Sequence, residues 1–308
     1  MGIAVFGAVF VDIKGYPTAQ FIPNGRNVGN VTTVHGGVSR NIAEDLGNIQ
    51  LKPSFISIVE DSGIGTDVLN RLSEHGVDTT YVRRVRDGMG TWLAVFDNNG
   101  DVVASISKRP DLSELVNVLD EHGDEIIGTC DSIAVEVDLE EAILSRIFRL
   151  AEKHHKKVYA AVSNMSIVME RREYLKNLGC LVCNLQEAGQ LFSVELENYT
   201  SAELVDILEM HANNAQIPCM VITEGDEGCI YISENEVGRY PAYNVDVIDT
   251  TGAGDSFFAG IAAGLTYGKT LRESCEIGTR IASAVITTKE STCPSFQPEE
   301  FGITRNGK

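Results

Sequence analysis

The stretch DTTGAGDSFFAG, residues 249–260, joins a loop of very small residues to an apolar run. From Phe257 onward the apolar residues recur at the spacing of one helix face, which predicts a helix beginning near Gly254 and Asp255. A helix start offers free N–H groups and the positive end of the helix dipole. Two interpretations follow, and the spacing favours neither. Asp255 caps the helix, or the bare loop binds phosphate oxygens through its amides.

A second glycine-rich turn opens another predicted helix, in HGGVSRNIAEDLG, residues 35–47. Val38, Ile42 and Leu46 have the spacing of its core face, and Asn41 lies off that face. Asparagine is a weak helix former, so its presence needs a reason. Asn41 is either a surface side chain after a glycine turn or an amide that binds the hydroxyls of a polar molecule.

Short apolar runs rich in β-branched residues alternate with longer stretches of helical spacing. The runs lie at 3–9, 55–59, 132–137, 157–162, 180–184 and 219–223, and the clearest helical stretches at 139–155 and 200–215. This alternation predicts an α/β fold with a mostly parallel sheet covered on both faces. No repeat or linker divides the chain, so one domain over residues 1–308 is expected.

Two stretches depart from the alternation and predict a small β lid. Residues 91–107 form two alternating runs around Asn99-Gly100, which is a strong hairpin signal. Residues 16–35 are polar, contain Pro and Gly, and have short β-prone pieces. The lid is therefore expected from about 14–35 and 91–107, and its exposed edge could pair with a second copy to form a homodimer.

The composition excludes several classes of partner. The net charge of −19 argues against nucleic acid and against anionic membranes, because a broad basic face is lacking. No apolar run approaches the roughly 18 residues of a membrane helix, and the N-terminus lacks the basic region of a signal peptide. Seven cysteines, mostly within apolar runs, indicate buried reduced thiols in a cytoplasmic protein.

Three other kinds of site are disfavoured by spacing. Cys180 and Cys183 have no second cysteine pair or suitably placed histidine that would complete a zinc site. The Gly-x-x-x-x-Gly-Lys-Ser/Thr loop of many nucleotide-binding proteins is absent. The first strand and turn, residues 5–15, lack the Gly-x-Gly-x-x-Gly of a nicotinamide-dependent dehydrogenase.

Four motifs together resemble the PfkB, or ribokinase-like, family of ATP-dependent sugar and nucleoside kinases. GGVSRN (36–41) and DTTGAGDSFFAG look like its two signature regions. NLQE (184–187) is similar to its Asn-x-x-Glu element, and VITEGDEGCIY (221–231) to its nucleotide-side strand and turn. They occur in the family's order across essentially the whole chain. The resemblance implies a three-layer α/β/α sandwich with a β lid, and ATP with Mg²⁺ as cofactors.

The resemblance assigns the chemistry to the loop quoted first. Asp255 is the expected catalytic residue, a base that accepts the proton of the attacking hydroxyl. The amides of Gly252, Ala253 and Gly254 are the expected anion hole for the transferring phosphoryl group.

Asp12 follows an apolar strand, where a carboxylate has little reason to be unless it lies at the strand's carboxyl end. Taken alone, it could equally be a turn-forming residue before Gly15. The resemblance implies that Asp12 accepts hydrogen bonds from two sugar hydroxyls. Gly36, Gly37 and Asn41 are then expected to line the same ribosyl site.

The remaining motifs are expected on the nucleotide side. The resemblance places Asn184 and Glu187 near the phosphates, with Glu187 reaching Mg²⁺ through water. The alternative is an Asn cap followed by a first-turn Glu. Thr223, Gly225 and Gly228 are expected to border the nucleotide, although TEGDEG could equally be a turn between two strands.

The resemblance also implies a monovalent cation such as K⁺, bound by backbone carbonyls around Asp249 and Thr251. One departure is that residues 160–175 lack the Asp-Pro that many relatives carry after this strand.

Within the family, GGVSRNIA (36–43) and the Asp-containing VDIKGYP (11–17) look most like pseudouridine kinases. The expected activity is phosphorylation of a nucleoside 5′-hydroxyl, with pseudouridine preferred. Ribokinase, fructokinase, and inosine or adenosine kinase remain alternatives. A non-catalytic nucleoside-binding relative is a further one, disfavoured because Asp255 and its loop are present.

Overall fold

A computed structural model describes residues 2–304. Met1 and residues 305–308, which belong to the predicted domain, lie outside this part. The strands, numbered along the chain, are β1 (Ala4–Phe6), β2 (Phe10–Pro17), β3 (Gly29–Gly36), β4 (Ser54–Ile56), β5 (Ile58–Glu60), β6 (Arg83–Val85), β7 (Gly90–Phe96), β8 (Val102–Lys108), β9 (Ile133–Glu136), β10 (Val158–Ala161), β11 (Cys180–Asn184), β12 (Cys219–Thr223), β13 (Cys229–Ser233) and β14 (Val237–Tyr240).

The helices cover both faces of the larger sheet. They are α1 (Val38–Asn48), α2 (Gly63–Glu74), α3 (Glu114–Thr129), α4 (Glu141–Lys153), α5 (Met165–Met169), α6 (Leu185–Phe192), α7 (Ser201–Asn214), α8 (Ala253–Thr266) and α9 (Leu271–Ile286). The segments predicted at 139–155 and 200–215 correspond to α4 and α7.

Within residues 2–304 the larger sheet has eight strands in the order β14-β13-β12-β11-β10-β9-β1-β4. The strands from β4 to β12 in this order are parallel, and β13 and β14 complete the sheet antiparallel. The chain moves outward in opposite directions from β1 and β9. A crevice is expected at the carboxyl ends of such neighbouring strands, where open α/β sheets bind ligands.

Alternate residues of each central strand face different cores, as a sheet buried on both faces requires. Ala4 and Phe6 of β1 pack with the side chains of α3, α4, α6 and α7. Val5, between them, packs with α1, α2, α8 and α9. The prediction of a mostly parallel sheet between two helical layers is confirmed.

Helix α1 is buried almost all round rather than on one face. Ile42 and Leu46 pack into the core as predicted, but Asn41, Glu44 and Asp45 are buried as well. The reason is that α8 packs against the side of α1 that the sheet leaves uncovered. The sequence pattern of α1 alone could not reveal this second partner.

A second, four-stranded sheet has the order β3-β2-β7-β8. The turn at residues 97–101 joins β7 and β8 as the Asn99-Gly100 signal predicts, and Gly100 there has a φ of 88°. The sheet starts earlier than expected, because β2 begins at Phe10 and carries Asp12 within the strand. We call β2, β3, β7 and β8 the lid sheet.

The run 55–59, expected to be one strand, forms two short strands in different sheets. Residues of β4 pair with β1, whereas β5 pairs with β6. Between them, the Ser57 hydroxyl donates to the carbonyl of Gly7 at 2.7 Å, which fixes the change of direction beside the end of β1.

All seven cysteines are buried as free thiols. Cys180 and Cys183 of β11 face different helical layers, so they do not converge on one site. Among the residues that the structure describes, no helix is long and apolar enough to cross a membrane.

Candidate active site

The loop before α8 has the geometry of an open backbone cradle. Gly252 has a φ of 83°, and a Cβ there would lie 2.0 Å from the carbonyl oxygen of Ser291, so only glycine fits. A Cβ on Gly254 would meet nothing within 4 Å. Gly252 is the N-cap residue, and Asp255 lies in the first turn without a side-chain capping bond. The capping interpretation of Asp255 is therefore not what the structure shows.

Asp255 is held instead by Asn41. The Asn41 amide nitrogen Nδ2 donates to Asp255 Oδ2 at 2.6 Å, which joins α1 to α8. Burial raises the pKa of Asp255 to about 6, although the hydrogen bond from Asn41 and the charge of Arg40 act to lower it. A carboxyl with this pKa is mainly ionised at neutral pH and can accept a proton.

Asp12 lies beside the Gly36-Gly37 turn, as predicted. A Cβ on Gly36 would come within 2.5 Å and 2.6 Å of the two Asp12 carboxylate oxygens. Gly37 has a φ of 103°, and a Cβ there would lie 2.6 Å from the Ala8 carbonyl oxygen. Gly36 is thus required by its close approach to Asp12, and Gly37 by its positive φ and its contact with Ala8. Asp12 itself lies in a strand and not in a turn.

Asp12, Gly36 and Asn41 line one cavity of about 310 Å³. Its other walls come from the lid sheet, from α1 and α2, and from the loops before α8 and after α9. These residues are Lys14, Thr33, Val34, His35, Arg40, Arg71, Asp249, Thr251, Lys289, Glu290 and Ser291. We call this the acceptor cavity.

Asp249 and Thr251, expected at a cation site, lie in the wall of the acceptor cavity. The Thr251 amide donates to Asp249 Oδ1 at 2.8 Å. Burial acts to raise the pKa of Asp249, but the bonds from Thr251 outweigh it and the pKa is lowered. The ionised carboxylate of Asp249 is an oxygen donor of the kind that cations prefer.

Thr223, Gly225 and Gly228 come together with Ala253 and Gly254 around a second cavity of about 570 Å³. Apolar and small residues form its remaining wall, namely Ala242, Tyr243, Val245, Val247, Phe257, Ala282, Ser283 and Ile286, with the polar Asp226, Asn244, Thr250 and Thr279. We call this the nucleotide cavity. The turn at Gly225–Glu227 joins antiparallel β12 and β13, so TEGDEG is a turn between two strands that also borders this cavity.

The two cavities lie on either side of the start of α8. Gly254 borders the nucleotide cavity, and Asn41, which holds Asp255, borders the acceptor cavity. Asp255 itself lines neither cavity, but it follows Gly254 in the chain and accepts the hydrogen bond from Asn41, so it connects the borders of the two. In-line group transfer requires a group placed between donor and acceptor sites in this way.

Asn184 and Glu187 form a reciprocal capping box at the start of α6, with both hydrogen bonds 2.8 Å long. Neither Asn184 nor Glu187 lines the acceptor cavity or the nucleotide cavity. Burial raises the pKa of Glu187, and the nearby charge of Asp138 adds to the rise. Asp138 follows β9 and Glu187 follows β11, so both carboxylates lie near the carboxyl ends of these strands. Carboxylate oxygens are ligands that Mg²⁺ prefers.

Sequence reasoning missed two buried carboxylates, Glu136 as the last residue of β9 and Asp138 two residues later. Glu136 accepts hydrogen bonds from the amides of Ala8 and Ser39, each 3.2 Å long. Burial, with the charge of Asp138, raises the pKa of Glu136 to about 7. Asp138 accepts from Arg109 and Ser163, each at 2.9 Å. The signal was a carboxylate at the end of an apolar run, the same one that drew attention to Asp12.

A family model for the pfkB family of carbohydrate kinases matches residues 2–297. A guanosine-inosine kinase of Exiguobacterium acetylicum is 32% identical over 292 residues, which cover 94% of this chain and 95% of the relative. A pseudouridine kinase of Escherichia coli K12 is 24% identical, with 96% and 93% covered.

The fold is shared with solved kinase structures. A ribokinase from Arabidopsis thaliana, complexed with ribose and ATP, superposes with a TM-score of 0.80 at 19% identity, covering 95% of each chain. A ribokinase from Giardia lamblia superposes with a TM-score of 0.81 at 16% identity, covering 97% of this chain and 98% of the other. The family match and this fold agree with the resemblance of the motifs. The chain belongs to the pfkB family of carbohydrate kinases and is an ATP-dependent phosphotransferase for a nucleoside or a sugar.

Proposed function

We propose that the chain forms one kinase domain that transfers the γ-phosphoryl group of ATP to the primary 5′-hydroxyl of a nucleoside. The observation that carries this proposal is the position of Asp255 between the two cavities, with its carboxylate held by Asn41 at 2.6 Å. ATP would occupy the nucleotide cavity, and the nucleoside the acceptor cavity.

Each proposed role follows from local chemistry. Asp255 accepts the hydroxyl proton as the oxygen attacks, and the amides of residues 252–254 stabilise the developing charge. Asp12 binds two ribose hydroxyls beside Gly36 and Gly37. Glu187, oriented by Asn184, would help to hold Mg²⁺ through water, and the ion would supply positive charge that neutralises the phosphates. The loop around Asp249 and Thr251 would bind K⁺ through its carbonyls.

A nucleoside is favoured over a free sugar by an aromatic cluster on the lid sheet. The rings of Tyr16 and Phe96 stack with centroids 4.6 Å apart, and Trp92 meets Phe96 edge-on at 6.3 Å. Trp92 is the register partner of Asp12, so its side chain lies on the same sheet face. A planar base could pack against such rings while Asp12 binds the ribose.

Among nucleosides, we propose guanosine or inosine first and pseudouridine second. The relative named for guanosine and inosine is 32% identical to this chain, against 24% for the pseudouridine kinase. The pseudouridine alternative is supported by the motif GGVSRNIA, residues 36–43.

The test is ATP consumption by the purified protein with guanosine, inosine, adenosine, pseudouridine, uridine, ribose and fructose. We expect kcat/KM for guanosine or inosine to exceed that for ribose at least tenfold, with 5′-monophosphate as product. The Asp255→Asn variant is the matched blank. Faster phosphorylation of ribose or fructose than of any nucleoside would overturn the nucleoside proposal. Binding of a nucleoside without turnover would favour the non-catalytic alternative.

We also propose that two copies pair through the lid sheet. Leu93 and Ile106 are register partners on the face opposite Asp12, and they are exposed apolar side chains. Ile13, beside Leu93, continues the row. A dimer by light scattering that becomes a monomer in Leu93→Lys would support this pairing, and a monomeric parent protein would overturn it.

A further inference from the structure

Arg40 is a buried cation in the wall of the acceptor cavity. Its side chain is only 1% exposed, and it precedes Asn41 on α1. Burying a charge is costly unless partners compensate for it. The charge therefore needs a reason beyond filling space, which an apolar side chain would do better.

The ion pair of Arg40 with Glu44 does not neutralise the positive charge of this cluster. Arg40 Nη1 lies 2.6 Å from Glu44 Oε2, and Glu44 is fully buried. Glu44 also binds Arg71, whose Nε and Nη2 donate at 2.9 Å and 2.7 Å. Two guanidinium groups thus share one buried carboxylate, which leaves a net positive charge. Glu290, the other acidic partner of Arg71, is 65% exposed and is screened by water.

Glu44 remains ionised within this cluster. Burial alone would raise its pKa, but Arg71, Arg40 and Thr292 lower it to about 2. The excess charge is therefore a property of the two arginines at all physiological pH values, because guanidinium groups do not lose their protons there.

The remaining contacts link the Arg40 guanidinium to Asn41, the residue that holds Asp255, because Ser291 Oγ, which accepts from Arg40, donates to Asn41 Oδ1 at 3.5 Å. Nη2 donates to the His35 carbonyl at 2.6 Å and to Ser291 Oγ at 3.4 Å. Nε has no hydrogen-bond partner among residues 2–304. His35 precedes the Gly36-Gly37 turn, so Arg40 is anchored at the floor of the acceptor cavity.

Two carboxylates respond to this charge, Asp12 in the cavity wall and Asp255 at the start of α8. Burial raises the pKa of Asp12 and of Asp255, and Arg40 lowers both. Asp12 in turn acts to raise the pKa of Asp255. Without Arg40, two neighbouring carboxylates would each disfavour ionisation of the other.

Other charged groups also face this region. They are Lys14 on β2, Glu44 and Asp45 on α1, Asp249 before α8, and Lys289 and Glu290 after α9. Along its next turns α8 meets α9 through uncharged residues, at Gly260 with Gly278 and at Gly264 with Ser274. Of these groups and Arg40, it is the charge of Arg40 that lowers the pKa of Asp255 together with the hydrogen bond from Asn41.

We propose that Arg40 is a positioning residue for phosphoryl transfer, which keeps Asp255 ionised in the loaded site without touching the reacting atoms. The inference rests on the proposed role of Asp255 as the base. A merely structural role, in which Arg40 only ties His35 to Ser291, makes a different prediction about pH.

The experiment compares Arg40→Gln with Arg40→Lys by single-turnover phosphoryl transfer between pH 5 and pH 9, with saturating ATP and acceptor. Loss of the charge should move the acidic limb of the rate profile upward by about one pH unit. The rate at pH 6 then falls about fivefold more than the rate at pH 8.5. Arg40→Lys keeps the charge and should leave the limb within about 0.3 pH units of the parent.

Controls separate this inference from the others. Arg146→Gln removes a surface arginine paired with Asp120 on the far layer and should leave the profile unchanged. Circular dichroism and calorimetric ATP titration verify that Arg40→Gln is folded and binds nucleotide; Arg40→Met is the substitute if it is not. An equal loss at every pH, or an equal shift in Arg40→Lys, overturns the inference. A normal rate in Asp255→Asn overturns instead the proposed base.

Discussion

The Asn41 amide donates a 2.6 Å hydrogen bond to the carboxylate of Asp255, although 214 residues separate them in the chain. One turn later on α1, Asp45 accepts a 2.7 Å bond from Ser256, the next residue of α8. Two adjacent residues of α8 are therefore held by two residues one turn apart on α1. This pairing orients the proposed base before any substrate arrives.

The Asp255→Asn variant is expected to lose at least 100-fold in kcat. The amide keeps the shape of the carboxyl and can still accept from Asn41, but it cannot take the proton of the attacking hydroxyl. ATP affinity, measured by calorimetric titration, should stay within about threefold of the parent. A kcat within about tenfold of the parent would show that another group is the base.

The Asn41→Ala variant should lower kcat by roughly tenfold to 100-fold, because a hydrogen bond to a charged group is worth about 1.5–3 kcal/mol. The loss should be larger at pH 6 than at pH 8, since Asn41 acts to lower the pKa of Asp255. KM for the acceptor should rise while KM for ATP stays constant. Asn117→Ala on α3 is the control. A rise confined to KM for ATP would show that Asn41 acts on the nucleotide cavity and not on the acceptor cavity.

Gly254→Ala separates stability from nucleotide binding. The added methyl would meet no atom within 4 Å, so the free energy of unfolding should be unchanged or slightly higher. KM for ATP should nevertheless rise about tenfold, because the methyl stands where phosphate must approach the amides. Urea denaturation and steady-state kinetics measure the two effects.

Gly252→Ala supplies the contrasting variant. Its backbone has a positive φ and its Cβ would collide with Ser291, so it should lose about 1–3 kcal/mol of stability. An unchanged KM for ATP in a well-folded Gly254→Ala protein would argue against an anion hole at this loop.

Asp45→Asn should change how stability depends on pH. Burial raises the pKa of Asp45 to about 7, although bonds from Cys293 and Ser256 act to lower it. The native state therefore holds this proton more tightly than the unfolded chain, and this contribution is lost as pH rises from about 4 to about 7. The substitution removes that dependence, which amounts to at most about 1.4 kcal/mol per pH unit.

Urea denaturation of both proteins between pH 4.5 and pH 8 checks this prediction. The free energy of unfolding of Asp45→Asn, relative to that of the parent, should increase as pH rises. Substitution of the exposed Asp206 in Asp206→Asn is the control. Parallel curves for parent and variant would mean that Asp45 is ionised throughout.

Local patterns predicted the elements whose cause is local. The Asn99-Gly100 turn and its two alternating runs became β7 and β8, and the runs around β9 to β12 became buried parallel strands. The glycines at 36, 37 and 252 were identified because their required conformations or close contacts leave no room for a side chain.

Long-range partners could not be predicted in this way. The pattern placed Asn41 off the core face of its helix and left open whether it lies on the surface or binds a ligand. It is buried because α8, from the other end of the chain, packs against α1. Arg40 shares Glu44 with Arg71, which lies 27 residues beyond Glu44 in the chain. The run 55–59 divides because β5 pairs with β6, a strand that its own pattern does not indicate.

The burial of all seven thiols has a practical consequence. A buried thiol rarely becomes a thiolate, so alkylating reagents can modify these cysteines only when the surrounding core opens. Cys130 and Cys183 lie in one helical layer, and Cys180, Cys219, Cys229, Cys275 and Cys293 lie in the other. Mass spectrometry of timed alkylation could therefore follow the opening of each layer separately, with native residues as the only labels.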